Sequence, residues 1–222
     1  MEDAGVGEQF MAIIPCKQVV DTEPTHGPVD PSEPDVKLEL EYVYGYRSED
    51  SRQNVHYTVD GKICYMTAAL GVILDQSTNT QAFFGGKQVD SKRKQNIDPA
   101  RCGCHTDDIL ALKLSKDRKK AVSGQVGSQP RVLIWNTTGT PSMERCIKLG
   151  KVRGISAVAW SNDNKYVAMA DLHNDHNVYV YEASTGNLVY NAKGGTEKVL
   201  DMAFSQKPGE HVLGYCGKGF VK

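Results

Sequence analysis

Two short tracts hold the residue types that bind metals. Cys102-Gly103-Cys104-His105 offers two thiols and an imidazole, and Asp171-Leu172-His173-Asn174-Asp175-His176 offers two imidazoles among carboxylates. Structural zinc takes four ligands, usually as two spaced pairs. The first tract has neither that spacing nor a second pair, so His105 is expected to be structural, and nothing further supports a redox role for Cys102 and Cys104. The second tract is expected to be a polar hairpin in which Asp171 or Asp175 bonds the turn backbone. Ser123, His105 and Asp107 supply the residue types of a hydrolytic triad but lack the local context of an activated nucleophile. Gly85-Gly86-Lys87 has no Lys-Ser/Thr and helix behind it, and Gly124-Gln125-Val126-Gly127 runs into a strand, so neither is a phosphate loop. No catalytic residue, cofactor site or metal site is assigned, and the expectation is a non-enzymatic protein. A hydrolase working at the centre of the fold is the least favoured reading.

The remaining chemistry is charge. Lys87, Lys92, Arg93, Lys94 and Arg101 fall between Gly85 and Cys104 with few apolar residues. They form a basic insertion loop that either contacts an acidic partner or is simply solvated; the partner assignment rests on charge alone. Over the whole chain, 26 Lys and Arg oppose 27 Asp and Glu, a net charge of −1. That balance gives no footprint for nucleic acid or an anionic membrane. No run approaches the ~20 apolar residues of a membrane helix, and Met1-Glu2-Asp3-Ala4-Gly5 lacks the start of a signal peptide. The 6 cysteines show no disulfide framework. Several lie in expected strands (Cys64, Cys216), which points to a reduced, cytosolic chain with buried thiols.

The elements that must position these residues recur. "DDILALKLSKDRKKAVSGQ…RVLIW" is followed by "GISAVAWSNDNKYVAMAD…NVYVY" and "KVLDMAFSQKPGEHVLGYC…GFVK". Ile109 and Ile155 are 46 residues apart, Trp135 and Tyr181 also 46, and Ile155 and Val199 44. A period of about 40–45 residues carrying four short strands is the signature of a WD40-type β-propeller blade. In the first unit, strands are expected around Ile109–Leu114, Ala121–Gly124 and Val132–Trp135. In the second they are expected at Ala157–Trp160, Tyr166–Ala170, Val178–Tyr181 and from Leu188, and in the third at Val199–Phe204 and Val212–Tyr215. Small residues at Ala121–Gly124 and Tyr166–Ala170 suggest the strands nearest the crowded centre. Trp135, Trp160 and Tyr181 are expected to pack blade on blade. The last phrase stops at Phe220-Val221-Lys222, about two residues short of the aromatic that should end it. The expectation is a fragment of a longer protein, since a closed propeller takes 4–8 blades.

Upstream, residues 54–84 form an earlier blade, with Asp60-Gly61 as its hairpin signal. Over 37–47, Leu38, Leu40, Tyr42 and Tyr44 alternate with Lys37, Glu39, Glu41 and Val43, as in a half-buried strand or cap with one aromatic face. These tyrosines are expected to pack in the core and seal the first blade, the alternative being an exposed recognition stripe. Pro24, Pro28, Pro31 and Pro34 make the N-terminal part an extended linker, in which Phe10–Ile14 either docks on a neighbouring domain or stays disordered. The organisation expected is an extended linker over 1–36, a capping motif, first blade and basic loop over 37–104, and WD40 blades over 105–222, the last incomplete. The fold class is all-β, WD40-type β-propeller blades with a Pro-rich linker.

At these residues the chain resembles the echinoderm microtubule-associated protein-like family. "LELEYVYGYRSEDSRQNVHYTVDGKICYMTAALGVILD", residues 38–75, is similar to the hydrophobic motif that opens that family's tandem atypical propeller. Val43-Tyr44-Gly45-Tyr46-Arg47, then Asn54 and the Tyr57 strand, carry the match. "HTDDILALKLSKDRKKAVSGQVG" and "GISAVAWSNDNKYVAMAD" resemble its first WD40 blades, and "GEQFMAIIP" resembles the connector between modules in its long members. The resemblance implies a capping motif at Tyr42, Tyr44, Gly45, Tyr46 and Arg47. It also implies a non-enzymatic cytoskeletal scaffold of the cytoplasm, associated with tubulin or microtubules and including axoneme or spindle. A generic WD40 adaptor is the alternative. No heptad stretch like that of the family's short members is present, so tubulin contact would fall to the propeller or to parts outside this chain. The 87–104 insertion is longer than expected between these blades.

Overall fold

The computed structural model describes residues 39–86, 103–127 and 129–222. The expected linker and the basic residues Lys87, Lys92, Arg93, Lys94 and Arg101 lie outside them, as does Cys102. The described chain from Leu40 to Lys222 belongs to one compact unit.

Its strands form four antiparallel sheets, each in simple sequential order. The first holds β1 (Val55–Tyr57), β2 (Ile63–Thr67), β3 (Leu70–Asp75) and β4 (Thr80–Phe84). The second holds β5 (Ile109–Leu114), β6 (Lys120–Gln125), β7 (Arg131–Asn136) and β8 (Met143–Lys148). The third holds β9 (Ile155–Trp160), β10 (Tyr166–Asp171), β11 (Val178–Glu182) and β12 (Leu188–Ala192). The fourth holds β13 (Val199–Phe204), β14 (Leu213–Gly217) and β15 (Phe220–Val221). The strand phrases of the sequence are all present. The addition is β8, whose Met-Glu-Arg-Cys-Ile-Lys mixes charge into an outer strand that buries only Ile147 fully.

The 46-residue repeat also governs the turns. Between β5 and β6, Ser115 Oγ donates to Asp117 Oδ1 (2.6 Å), which accepts Lys119 N (3.2 Å). Between β9 and β10, Ser161 Oγ donates to Asp163 Oδ1 (2.6 Å), which accepts Lys165 N (3.1 Å). Arg118 and Asn164, at equivalent places, both take positive φ (58° and 59°). A short Ser-x-Asp side-chain mimic of backbone pairing thus closes both hairpins.

Two expectations are corrected. The small-residue strands β6 and β10 are second in their sheets, not innermost: the first strands β1, β5, β9 and β13 pack on one another across blades. The small residues of β6 serve a different close approach. A Cβ on Gly124 would lie 2.5 Å from Cβ of Ile155 in the next blade. The second correction concerns residues 39–48, which form no strand. Without a ladder partner the alternation of Leu40, Tyr42 and Tyr44 has no buried face to follow. Leu40 is 42 % exposed, Tyr44 88 % and Tyr46 47 %, so these side chains are not core packing.

The core sits between sheets rather than within one. Met66, Ile73 and Phe84 of the first sheet meet Leu112, Leu133 and Trp135 of the second. Val122, Ile134 and Ile147 of the second meet Val158, Met169 and Tyr181 of the third, with Trp160 in the same cluster. Ala157, Ala168 and Val178 of the third meet Met202 and Phe204 of the fourth. Trp135, Trp160 and Tyr181 are therefore blade-packing aromatics. Cys64 is fully buried in β2, and burial pushes its thiol up to about 12.

Gly124→Ala should lower stability by about 1–3 kcal/mol in a urea titration, because the added methyl overpacks the second–third blade contact. Gly150→Ala, whose added methyl would meet nothing within 4 Å, should shift the midpoint far less.

Candidate functional site

The segment Leu40–Asp50 lies along the first blade and is held by side chains. Val43 N donates to Gln81 Oε1 (2.7 Å), and Gln81 Nε2 donates to Val43 O (3.1 Å) and to Tyr65 OH (2.9 Å). Gln81 on β4 thereby stands in for a neighbouring strand. Tyr42 OH donates to Asn79 Oδ1 (3.3 Å), and its ring tilts against Tyr44 at 4.9 Å. Gly45 turns the chain with φ of +130°, where a side chain would be strained. Tyr46 OH donates to Asn54 Oδ1, and Asn54 Nδ2 donates to Arg47 O. Arg47 grips Asp50 with two nitrogens (2.7 and 2.8 Å) and Asp108 with the third (2.6 Å). Asp108 immediately precedes β5, so this guanidinium ties the segment to the second blade. Its two carboxylates hold its pKa well above the usual range.

At the same blade junction lies a buried polar chain. Trp135 Nε1 donates to Ser123 Oγ (2.9 Å), and Ser123 Oγ lies 2.6 Å from His105 Nε2. His105 Nδ1 lies 2.8 Å from Gln125 Oε1, and Gln125 Nε2 donates to Thr106 Oγ1 (3.1 Å). One assignment satisfies every member: Ser123 accepts from the indole and donates to Nε2, and the neutral imidazole donates from Nδ1 to Gln125. Burial lowers the His105 pKa to about 4, against the weaker opposing pull of Gln125. The expected structural role of His105 holds. The Ser–His pair does form, but its third member is Gln125 instead of Asp107, and Ser123 is fully buried beneath Trp135. No substrate reaches it, so the pair is a brace and not a nucleophile. Phe84 stacks on Trp135 (4.7 Å, 5° between planes) and meets His105 edge-on at 6.0 Å. Gln125 and Phe84 escaped the sequence reading, which followed triad and metal spacing; a Ser and a Gln two apart on one strand face was the available signal.

The third blade uses a carboxylate instead. Asp171, fully buried, accepts His173 N and Asn177 N (both 3.0 Å) on Oδ1, and Asn177 Nδ2 (3.2 Å) and Tyr179 OH (2.9 Å) on Oδ2. The expected hairpin is therefore built by Asp171, while Asp175 pairs with Lys193 (3.3 Å). Desolvation and the Asp171 hydrogen bond push the Tyr179 phenol up to about 12. Among the described residues no cluster of three or more His, Cys, Asp or Glu could hold a metal.

Ser123→Ala strands the Trp135 N–H and should cost about 1–3 kcal/mol. In a double-mutant cycle with Trp135→Phe the two losses should be non-additive by about 0.5–3 kcal/mol. The His105 shift also has a pH consequence. Above the unfolded pKa of 6.5 the imidazole is neutral in both states and its contribution is complete. As pH falls below 6.5 the unfolded chain takes up a proton that the folded chain refuses. Stability should therefore fall by up to about 1.4 kcal/mol per pH unit, levelling near the folded pKa of about 4. Denaturant titrations across this window should show that slope, and His105→Gln should remove most of it; burial of His56 leaves a smaller slope of the same sign.

Comparison with known proteins follows the same lines. The HELP motif model matches residues 33–72, which span the side-chain-held segment and most of the first three strands. The chain is 42 % identical over 217 residues to the ciliary WD repeat-containing protein ctxp80 of Euplotoides octocarinatus, covering 97 % of this chain and 30 % of that protein. It is 27 % identical over 235 residues to echinoderm microtubule-associated protein-like 2 of Homo sapiens, covering all of this chain and 33 % of that one. It is 26 % identical over 199 residues to echinoderm microtubule-associated protein-like 4 of Mus musculus, covering 85 % and 18 %. The chain thus spans a third or less of the length of these relatives. In fold it is similar to the β-propeller domain of Myceliophteria thermophila Cps50 (Swd1), with a TM-score of 0.54 at 18 % identity over 74 % of this chain and 49 % of that one. A HELP motif that runs into the first of a row of WD40 blades identifies the chain as a member of the echinoderm microtubule-associated protein-like family.

Proposed function

We propose that this chain is part of a non-enzymatic cytoskeletal scaffold that associates with microtubules or tubulin. The observation that carries the reading is the HELP motif joined to WD40 blades, in a chain whose relatives are named for microtubule association and for cilia. Support for a scaffold comes from the polar clusters described above. His105–Ser123 and Asp171 are consumed in bracing the blades, which leaves the surface for partners. The residues Tyr42, Tyr44, Gly45, Tyr46 and Arg47 act in this reading as a cap that joins the first two blades and presents Tyr44 outward. The organisation we propose is a linker over 1–36, cap, first blade and basic loop over 37–104, and blades over 105–222. The site is the cytoplasmic cytoskeleton, the axoneme included. Contact with tubulin's acidic surface is assigned to Lys87, Lys92, Arg93, Lys94 and Arg101, on charge complementarity.

Co-sedimentation with microtubules over a salt series tests this. The bound fraction should fall as salt shortens the Debye length from about 10 Å at 0.1 M toward about 3 Å at 1 M. Charge reversal of the five basic residues should weaken binding and flatten the salt dependence. If all five reversals leave binding unchanged, the loop assignment is wrong. If the folded chain fails to sediment at any salt, it is a WD40 adaptor for other proteins.

A further inference from the structure

The innermost strands β1, β5, β9 and β13 end at one mouth, with Tyr57, Leu114, Trp160 and Phe204 as their last residues. The residues just before these, His56, Lys113, Ala159 and Ala203, also line a cavity of about 430 Å³ there. The β5–β6 turn adds Lys116 and Arg118 to its wall. Three cationic side chains therefore line this cavity and no Asp or Glu does, among the described residues, in a chain where 27 acidic residues outnumber 26 basic ones.

The carboxylates nearby are engaged elsewhere. Asp117 sits between Lys116 and Arg118 in sequence but is turned onto Ser115 Oγ and Lys119 N. Asp163 is turned onto Ser161 Oγ, Lys165 N and His211. Asp201 lies 3.6 Å from Lys113 Nζ and also accepts from Gln53. It balances Lys113 alone. Lys116 Nζ donates to a neutral amide, Gln206 Oε1 (2.8 Å). Neither Lys116 nor Arg118 makes an ion pair among the described residues. Two uncompensated cations at the rim of a concavity raise the local concentration of anions.

The rest of the wall fits a peptide better than a small ion. Leu114, Met202 and Phe204 are apolar, suited to side-chain methylenes, and the amides of Gln53, Asn162 and Gln206 are held in the wall by bonds to Asp201, to Gln206 O, and to Lys116 and Phe204 O. Tyr57 is 57 % exposed, an amphipathic ring of the kind enriched at interfaces. Trp160, 7 % exposed, lines the same cavity, and its indole N–H has no acceptor among the described residues.

We infer that this mouth binds an extended, carboxylate-rich peptide segment of a protein partner, with Lys116 and Arg118 meeting its acidic side chains. The inference concerns the described blades and does not depend on the loop at 87–101 or on microtubule binding.

The test is fluorescence anisotropy of a labelled oligoglutamate peptide titrated with the full chain, beside an oligoglutamine peptide and inorganic phosphate as competitor. The glutamate peptide should bind, more weakly as salt rises, and the glutamine peptide should not. Lys116→Gln with Arg118→Gln, a milder pair than charge reversal, should weaken binding at least about tenfold while the thermal unfolding midpoint stays close to that of the parent. Reversal of the five basic residues at 87–101 should leave peptide affinity unchanged. No binding of the glutamate peptide overturns the inference. So does binding that survives the double substitution, or that only the loop variant loses, or that inorganic phosphate at equal charge abolishes. A chain that binds the peptide but not microtubules refutes the microtubule reading and leaves this one standing.

Discussion

Trp135 is the side chain on which the junction of the first two blades depends. Its ring lies flat on Phe84 of β4, and it comes so close to β3 that a Cβ on Gly71 would lie 2.6 Å from its Cζ2. Its N–H cannot be left dry in such a place, since an unmet buried donor costs about as much as a lost hydrogen bond. Ser123 meets it, His105 meets Ser123, and Gln125 meets His105. The chain of polar groups is thus the consequence of burying one large aromatic between two sheets. It also explains why a Ser–His pair exists here without chemistry: the hydroxyl is spent on the indole.

The same blade design is solved differently one repeat on. Met169 and Tyr181 stand 46 residues after Ser123 and Trp135. With no indole at that place the polar chain is not needed, and Met169 fills it as core. Structural polarity moves to Asp171, which ties the β10–β11 connection by four hydrogen bonds. Blades with one architecture therefore hold together by apolar packing between sheets, plus one fully satisfied polar device each in the second and third. A satisfied device adds specificity, whereas a half-satisfied one would destabilise the blade.

The segment Leu40–Asp50 supplies a third kind of tie. It reaches the blades through Gln81, Asn54 and the three-way grip of Arg47 rather than through a ladder. Arg suits that position because its planar fork holds Asp50 through Nε and Nη2 while Nη1 reaches Asp108, a bidentate geometry that an ammonium lacks. Tyr44 is left outside, and the innermost strands leave Lys116 and Arg118 at an axial mouth. A near-neutral chain can in this way carry a locally cationic face.

What the sequence determined was everything that depends on period and turn chemistry. The 46-residue spacing announced the blades, the Asp60-Gly61 and Ser-x-Asp turns announced their hairpins, and Val43 to Arg47 announced the family. Strand existence follows from local alternation and turn residues, which a single sequence displays. What only the tertiary structure decided was depth and pairing. Small residues on β6 looked central because crowding was assumed to lie at the axis, whereas the crowding is between Gly124 and Ile155 of adjoining blades. Tyr44 looked buried because alternation was counted as if a neighbouring strand existed. The partner of His105 proved to be Gln125, twenty residues on, because the β5–β6 pairing sets Gln125 at the end of β6 opposite Ile109 and so beside the loop that leads into β5. The cations of the mouth, Lys113, Lys116 and Arg118, stand together on β5 and the turn after it, whereas the rest of the wall, with His56, Trp160 and Phe204 from three other blades, comes together only when the sheets close around an axis.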